Sequence, residues 1–280
     1  MIRLVLMGAG GKMGCRITDN MKDLPEYEMS YVEVNEAGIE RLKKLGVEVT
    51  PQDEALKDAD AIILAVPDIL IGKISEDIVP KLKPGTMIIG LDPAAAYAEV
   101  MPVRDDLTYF VTHPCHPPLF HEEPSMEART DWFGGTAHQD IVNAIYKGPD
   151  SDYEKGDAIA KHMYKPVRKS YKITVEQMAV LEPALVETFT LTLVDSMKQG
   201  FEEAVKLGVP RDAAWAFFLG HVRIELAIVL GFAGFPVSDG AKLAMEQARK
   251  KIFNPEWKEQ IFSLDKVKES VREITGALKK

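Results

Sequence analysis

The chain has 280 residues, 46% of them hydrophobic, enough to bury one large core or two modest ones. A formal net charge of −9 excludes binding to a phosphate backbone, which needs clustered Lys and Arg, and turns attention to small-molecule partners. With only two cysteines, Cys15 and Cys115, no disulfide framework is implied and a reducing compartment is expected.

The first residues, "MIRLVLMGAG", run directly into a strand pattern and a glycine turn, with no signal peptide ahead of them. No uninterrupted apolar run reaches bilayer length; "AIVLGFAGF" (Ala227 to Phe235) is too short. The expectation is a cytoplasmic protein with no nucleic-acid or membrane partner.

"IRLVLMGAGGKMG" passes from an apolar run to glycines and then to a helical pattern, the order a dinucleotide site requires. The backbone must turn sharply, and a pyrophosphate must approach helix amides carrying partial positive charge. Gly8, Gly11 and Gly14 give G-x-x-G-x-x-G, not G-x-G-x-x-G, with Gly10 as an extra glycine in the turn. Cofactor contacts are therefore expected from Gly8, Ala9, Gly10, Gly11, Lys12, Met13 and Gly14. A second strand, in "EMSYVEVNEAG", brings Glu33 to about twenty residues beyond the glycines, where an acidic group accepts from the ribose hydroxyls. The alternative for Glu33 is a surface residue at a strand end. Glu33 would repel a 2′-phosphate, and Val34 is not the Arg that would welcome one, so NAD is expected over NADP.

"GVEVT", "DADAIILAVPD", "GTMIIGLDPAA" and "LTYFVTHPCHPP" read as further strands, with the helix-like "IGKISEDIVPKLK" among them. Their tips are Val66-Pro67-Asp68, Leu91-Asp92-Pro93 and His113-Pro114. In an open parallel sheet the ligand crevice lies beyond such carboxyl ends, which adds Val66 and Pro67 to the cofactor contacts. The stretch "THPCHPPLF" (Thr112 to Phe120) then sits at the mouth of the crevice. Its prolines fix φ and hold His113 and His116 in one geometry. His113 reads as a metal ligand or as a general base without metal, and His116 as a catalytic or a structural histidine. Cys115 reads as a packed small hydrophobe and His121 as a loop surface residue.

From about Ile173 the chain reads as long helices. "TFTLTLV" alternates like a strand, but helical spacing on both sides makes it helix, apolar nearly all round and so buried centrally or in a subunit interface. "YKGPDSDYEKGD" is a linker or a turn within an extended sheet. The layout is α/β: a Rossmann-type NAD-binding domain over residues 1–170, then a predominantly α-helical domain over 171–280 for substrate binding and dimerisation. A homodimer is expected, because "ALVETFTLTLV" and "AAWAFFLGHVRIELAIVLGFAGF" carry more apolar surface than one small helical domain covers. His221 and Glu225 read as an ordinary polar pair, and Arg223 as either a substrate-carboxylate clamp or a surface salt bridge.

"GAGGKMG", "ILAVPD", "LKPGTMIIGLDPAA" and the helical second half resemble the 6-phosphogluconate dehydrogenase-like superfamily of nicotinamide-dependent oxidoreductases. "THPCHPPLF", "DWFGGTAHQDIV" and "EQMAVLEPALVETF" more narrowly resemble the D-apionate oxidoisomerase family. That resemblance implies NAD-dependent oxidation of a branched or polyhydroxy sugar acid, coupled to isomerisation. The superfamily's β-hydroxyacid dehydrogenases carry a catalytic Lys near the start of the first long helix and an Asn soon after. Here no Lys occurs from Ile173 through Met197, and no Asn between Asn143 and Asn254; Glu182, Pro183 and Glu187 stand in that region.

A carboxylate cannot stabilise a developing oxyanion, so a divalent metal, zinc by its imidazole ligand, is expected to supply the positive charge. Its expected ligands are His113 and Glu187, with His116 as third ligand or proton carrier. The expected catalytic residues are thus His113, His116 and Glu187. The alternatives are a metal-independent hydroxyacid dehydrogenase with His113 as base, and a nucleotide-binding sensor without turnover. Carboxylates in an otherwise apolar helix speak against the sensor.

Overall fold

The computed structural model describes residues 1–277. β1 (Ile2–Met7) leads through the glycine turn into α1 (Lys12–Met21), β2 (Tyr27–Val32), α2 (Glu36–Lys44) and α3 (Gln52–Leu56). β3 (Ala61–Leu64), α4 (Asp68–Ile78), β4 (Met87–Gly90), α5 (Ala94–Tyr97) and β5 (Thr108–Pro114) follow. Then come α6 (Met126–Arg129), β6 (Gln139–Lys147), α7 (Tyr153–Met163), β7 (Val167–Lys172) and α8 (Val175–Ala179). The rest is helical: a π-helical stretch (Val180–Thr190), α9 (Leu191–Lys206), α10 (Arg211–Val229), α11 (Asp239–Ile252), α12 (Trp257–Phe262) and α13 (Leu264–Ile274).

The strands form one seven-stranded sheet in the order β2-β1-β3-β4-β5-β6-β7. All pairings are parallel except β5 with β6. β3 and β4 are buried throughout, as a sheet covered on both faces demands. Alternation along each strand divides the core. Leu4, Leu6, Ile63 and Ile89 face Ile17 and Met21 of α1, Leu42 of α2 and Ile159 and Met163 of α7. Val5, Ile62, Leu64 and Ile88 face Ala55 and Leu56 of α3 and Ile71 and Ile78 of α4. The parallel register puts the C-terminal tips of β1, β3, β4 and β5 on one edge, where the site is built.

One expectation changes: "GVEVT" makes no strand, and only Val49 bridges to Tyr31. "YKGPDSDYEKGD" lies within an extended sheet, one of its two expected readings: it closes β6 and opens α7, which crosses back to the parallel β7. "TFTLTLV" is helical as expected, continuing from the π-helical stretch into α9.

The chain divides into two compact units, Met1–Pro183 with the described residues from Val267 onward, and Ala184–Lys266. The division falls inside the helical run, beyond the expected residue 170, because β7 belongs to the sheet and Val175 and Met178 pack on Val111 and Ala144. The helical run Val175–Lys206, 32 residues, is long and apolar enough to cross a bilayer by length and composition, which no single run in the sequence announced. Its first turns, Val175 and Met178, pack on the sheet unit.

Candidate active site

The glycine turn is tight at every point where a side chain would matter. Gly8 has φ +73°, and a Cβ there would lie 2.3 Å from the Ala65 carbonyl oxygen and 2.9 Å from Val66. A Cβ on Gly14 would meet the Gly8 carbonyl at 2.2 Å, so this glycine lets α1 close onto the turn. Gly11 caps α1 without any side chain bonding the first-turn amides. Val66 and Pro67 follow β3, and Pro67 caps α4. Glu33 lies just past β2, and its carboxylate accepts from the Gly10 amide (2.9 Å) and from the amides of Val34 and Asn35 (2.8 and 2.9 Å). Such a cradle of glycines, open helix amides and an acid at the second strand's end fits a dinucleotide.

On the same sheet edge, β4 and β5 deliver Asp92 and His113, and the π-helical stretch brings Glu182. Their ligand atoms lie within 4.8 Å of one another. His113 Nδ1 donates to the Leu91 carbonyl (2.8 Å), which fixes the tautomer and turns Nε2 toward Glu182 Oε2 at 3.4 Å. Burial works to lower the His113 pKa, but Glu182 and Asp92 outweigh it and raise it to about 9. Burial pushes Asp92 up to about 7 against the opposing His113 and Ala94 amide. For Glu182 the penalty of burial is overcome by His113, and the carboxyl stays below its ordinary range. Asp68, at the start of α4, is raised by burial.

His116 has φ +60°, an uncommon backbone state for a residue with a Cβ. Its ring stands edge-on to His113 at 6.4 Å, and its Nδ1 donates to the Phe133 carbonyl at 3.1 Å. Burial leads the effects that lower its pKa. Lys12 holds its ammonium 3.9 Å over the Phe133 ring.

The structure thus brings together His113, His116 and the glycine turn in one unit, and adds Asp92 and Glu182, which the sequence reading had not placed in the site. Glu187 lies in the second unit, exposed on the π-helical stretch. Cys115 is exposed by side-chain area, yet burial of its sulfur environment raises its thiol to about 11, so it is an unreactive thiol. His121 is not a surface residue. Its side chain is 15% exposed and lies 3.2 Å from Glu123, whose carboxylate is 1% exposed and also accepts from His138. In the second unit, His221 Nδ1 donates to the Phe217 carbonyl of its own helix, the satisfied polar residue expected of it.

A parallel sheet with a glycine-turn cradle and an acid–imidazole cluster along one edge defines a nicotinamide-dependent oxidoreductase. Residues 3–114 match the NADPH-binding domain of acetohydroxy acid isomeroreductase, and 121–275 match the C-terminal domain of decarboxylating phosphogluconate dehydrogenase. The chain is 46% identical to a D-apionate oxidoisomerase of Rhizobium rhizogenes over 97% of this chain and 99% of the relative. It is 44% identical to the D-apionate oxidoisomerase of Cupriavidus necator, over 98% and 99% of the two chains. A crystal structure of a semialdehyde dehydrogenase NAD-binding protein from Cupriavidus necator, in complex with calcium and NAD, superimposes with a TM-score of 0.95. It shares 44% identity and covers 98% of this chain and 100% of that one. The chain belongs to the D-apionate oxidoisomerase family.

Proposed function

We propose that this protein oxidises D-apionate, or a closely similar branched sugar acid, with NAD and couples the oxidation to isomerisation. The observation that carries the reading is the Asp92–His113–Glu182 cluster on the sheet edge that also holds the glycine turn. NAD rests on Gly8 to Gly14, with Glu33 toward the ribose. Two carboxylates and one imidazole, its Nε2 turned toward Glu182, suit a divalent ion such as zinc; the Cupriavidus necator relative is a complex with calcium, which prefers oxygen ligands such as the two carboxylates. A bound ion supplies Lewis acidity for lowering a hydroxyl pKa and polarising a carbonyl. In this assignment Glu182 takes the place first expected of Glu187, and Asp92 is the added ligand.

The chain's own groups do the rest. The Leu91 carbonyl orients His113, and Asp92 keeps one oxygen for its ligand because the other accepts from the Ala94 amide at 2.7 Å. His116 is the proton carrier: its Nδ1–H is committed to Phe133, burial holds the ring neutral, and Nε2 keeps a lone pair for the substrate proton. His113 as a metal-free general base fits less well. Its Nε2 already faces the Glu182 carboxylate at 3.4 Å, and that pairing favours the protonated imidazole unless a metal takes the proton's place.

A homodimer belongs to the same proposal. α10 buries only Ala214 and leaves Trp215, Phe217, Leu219 and Ile224 exposed, with Phe217 lining a groove of about 630 Å³ between α9 and α10. A second copy would cover it. The cytoplasm, where Cys15 and Cys115 stay reduced, is the proposed location.

The test is NADH formation against a panel of sugar acids, with metal analysis and with or without chelator. D-apionate should lead the panel, and chelation should abolish turnover while leaving NAD bound. Full activity in metal-free protein would return His113 to the role of simple base, and no turnover of any sugar acid would overturn the substrate class.

A further inference from the structure

We infer that Arg16 is a positioning residue for His116, acting through the backbone carbonyl of Phe133. The inference rests on His116 being the proton carrier. Arg16, in the second turn of α1, points Nη1 at the Phe133 oxygen at 2.9 Å. The same oxygen accepts from His116 Nδ1 at 3.1 Å. One carbonyl has two lone pairs, and here each holds a different side chain. The Phe133 ring completes the arrangement, 5.3 Å from the His116 ring and 5.1 Å from the guanidinium carbon.

The surrounding loop is shaped to hold this carbonyl in place. The Asp131 carboxylate accepts from the amides of Phe133, Gly134, Thr136 and Ala137 at 2.8–3.2 Å, which closes the turn on itself. Gly134 has φ +91°, and a Cβ there would lie 2.7 Å from Arg16 Nη2, so the glycine is what admits the arginine. Arg16 Nε and Nη2 are buried with no hydrogen-bond partner among the described residues. A buried guanidinium with unspent donors is costly, and a leucine or methionine would fill the space more cheaply. What the guanidinium does there is pin the Phe133 carbonyl through its second lone pair, so that the oxygen stays within reach of His116 Nδ1. That bond keeps the imidazole in the Nδ1–H tautomer, with the Nε2 lone pair free, although φ at His116 is +60°. The charged groups facing His116 are His113, Arg16 and Glu182. Because Arg16 rides on the helix that begins at the glycine turn, the proton carrier is tied to the element on which the cofactor rests.

Arg16→Met, Arg16→Lys and Gly134→Ala test this in the NAD-loaded enzyme, with His116→Gln as reference and as the assignment control for ¹⁵N imidazole spectra. Arg16→Met should lower kcat about tenfold, the order expected when a catalytic group is misplaced, with NAD affinity and the sugar-acid KM unchanged. The His116 signals should move from the Nδ1–H tautomer toward a mixture. Lysine, which keeps one donor, should restore part of both, and Gly134→Ala, which presses on Nη2, should reproduce the methionine effect even if that variant folds poorly. Adding Arg16→Met to His116→Gln should cost nothing further. An unchanged His116 tautomer in Arg16→Met and Gly134→Ala would overturn the inference. A fully active His116→Gln would instead overturn the proton-carrier reading, and the tautomer shift would still decide whether Arg16 positions the ring.

Discussion

Glu33 and Arg41 hold the two polar groups of a single residue: the Gly10 amide donates to Glu33 Oε2 at 2.9 Å, and the Gly10 carbonyl accepts from Arg41 Nε at 2.7 Å. The acid expected to read the ribose is thus also a brace of the turn. This changes what a cofactor switch should do. Glu33→Ala removes the repulsion toward a 2′-phosphate, but it also frees three amides, so NAD affinity should fall about tenfold, the order of a lost charge-assisted bond. Val34→Arg leaves the brace intact and should raise NADP use while sparing NAD. Steady-state kinetics with both nucleotides check this; equal use of NAD and NADP by the unaltered enzyme would refute the NAD preference.

Gly14→Ala isolates the packing of the turn from its charge. The new methyl would meet the carbonyl oxygens of Gly8 and Ala9 at 2.2 and 2.5 Å, both backbone atoms that cannot swing away. α1 must shift, at a cost of about 1–3 kcal/mol. Calorimetry should show NAD binding weakened well beyond the loss of melting temperature, because the first-turn amides move with the helix.

The Asp92–His113–Glu182 cluster predicts a distinct pH response. In metal-free protein His113 titrates near 9 instead of 6.5, so its stabilising contribution is complete below about pH 6.5 and is lost as pH rises through 9. Asp92, raised to about 7, acts in the same direction at lower pH: its contribution is complete below about pH 4 and is lost as pH rises through 7, so the window above 7 belongs to His113. Thermal melts of chelated protein should therefore fall between pH 6.5 and 9, with a loss of order 1–3 kcal/mol. Zinc uptake must expel the His113 proton, so apparent affinity should rise with pH over the same window. Affinity independent of pH would remove His113 from the ligand set.

Much of this architecture is legible in the sequence because one physical rule dominates each part. Continuous apolar runs ending in Gly, Pro-Asp, Asp-Pro or His-Pro gave away β1, β3, β4 and β5, since a doubly covered sheet needs such strands. The sheet's far edge was harder. β7 reads VRKSYK, mostly outside the core, so no apolar run announces it. Gly156 made the start of α7 look like a turn, whereas its missing Cβ leaves room for the Phe110 ring, 2.4 Å from where that atom would lie. In the site, His113 and His116 were legible through their prolines. That Glu182 lies beside His113 was not, because a π-helical stretch does not follow the 3.6-residue period by which faces are counted. Asp92 offered one overlooked signal, an acid directly after an apolar strand on the ligand edge.

His121→Ala now carries a definite expectation. The Glu123 carboxylate it faces is 1% exposed and shares its charge with His138, so losing one imidazole leaves a buried acid half-compensated. The cost should be felt in the loop between β5 and β6 and not in the chemistry. Hydrogen exchange should speed up around residues 121–138, with kcat changed less than in His113→Ala. A kcat loss equal to that of His113→Ala would place His121 in the reaction instead.

The helical unit makes the last prediction. Phe217 is 67% exposed and Leu219 48% exposed in a helix of 19 residues that buries only Ala214. Large apolar side chains in that density are worth about 1.5–3 kcal/mol each when covered, far more than a lone chain would leave in water. Light scattering should give a dimer at micromolar concentration, and Leu219→Glu should shift it to monomer by placing a charge in the covered face. NAD affinity should survive in that monomer, because every group of the glycine cradle lies in the first unit. A wild-type chain that stays monomeric would refute the dimer, and a dimer untouched by Leu219→Glu would move the interface away from α10.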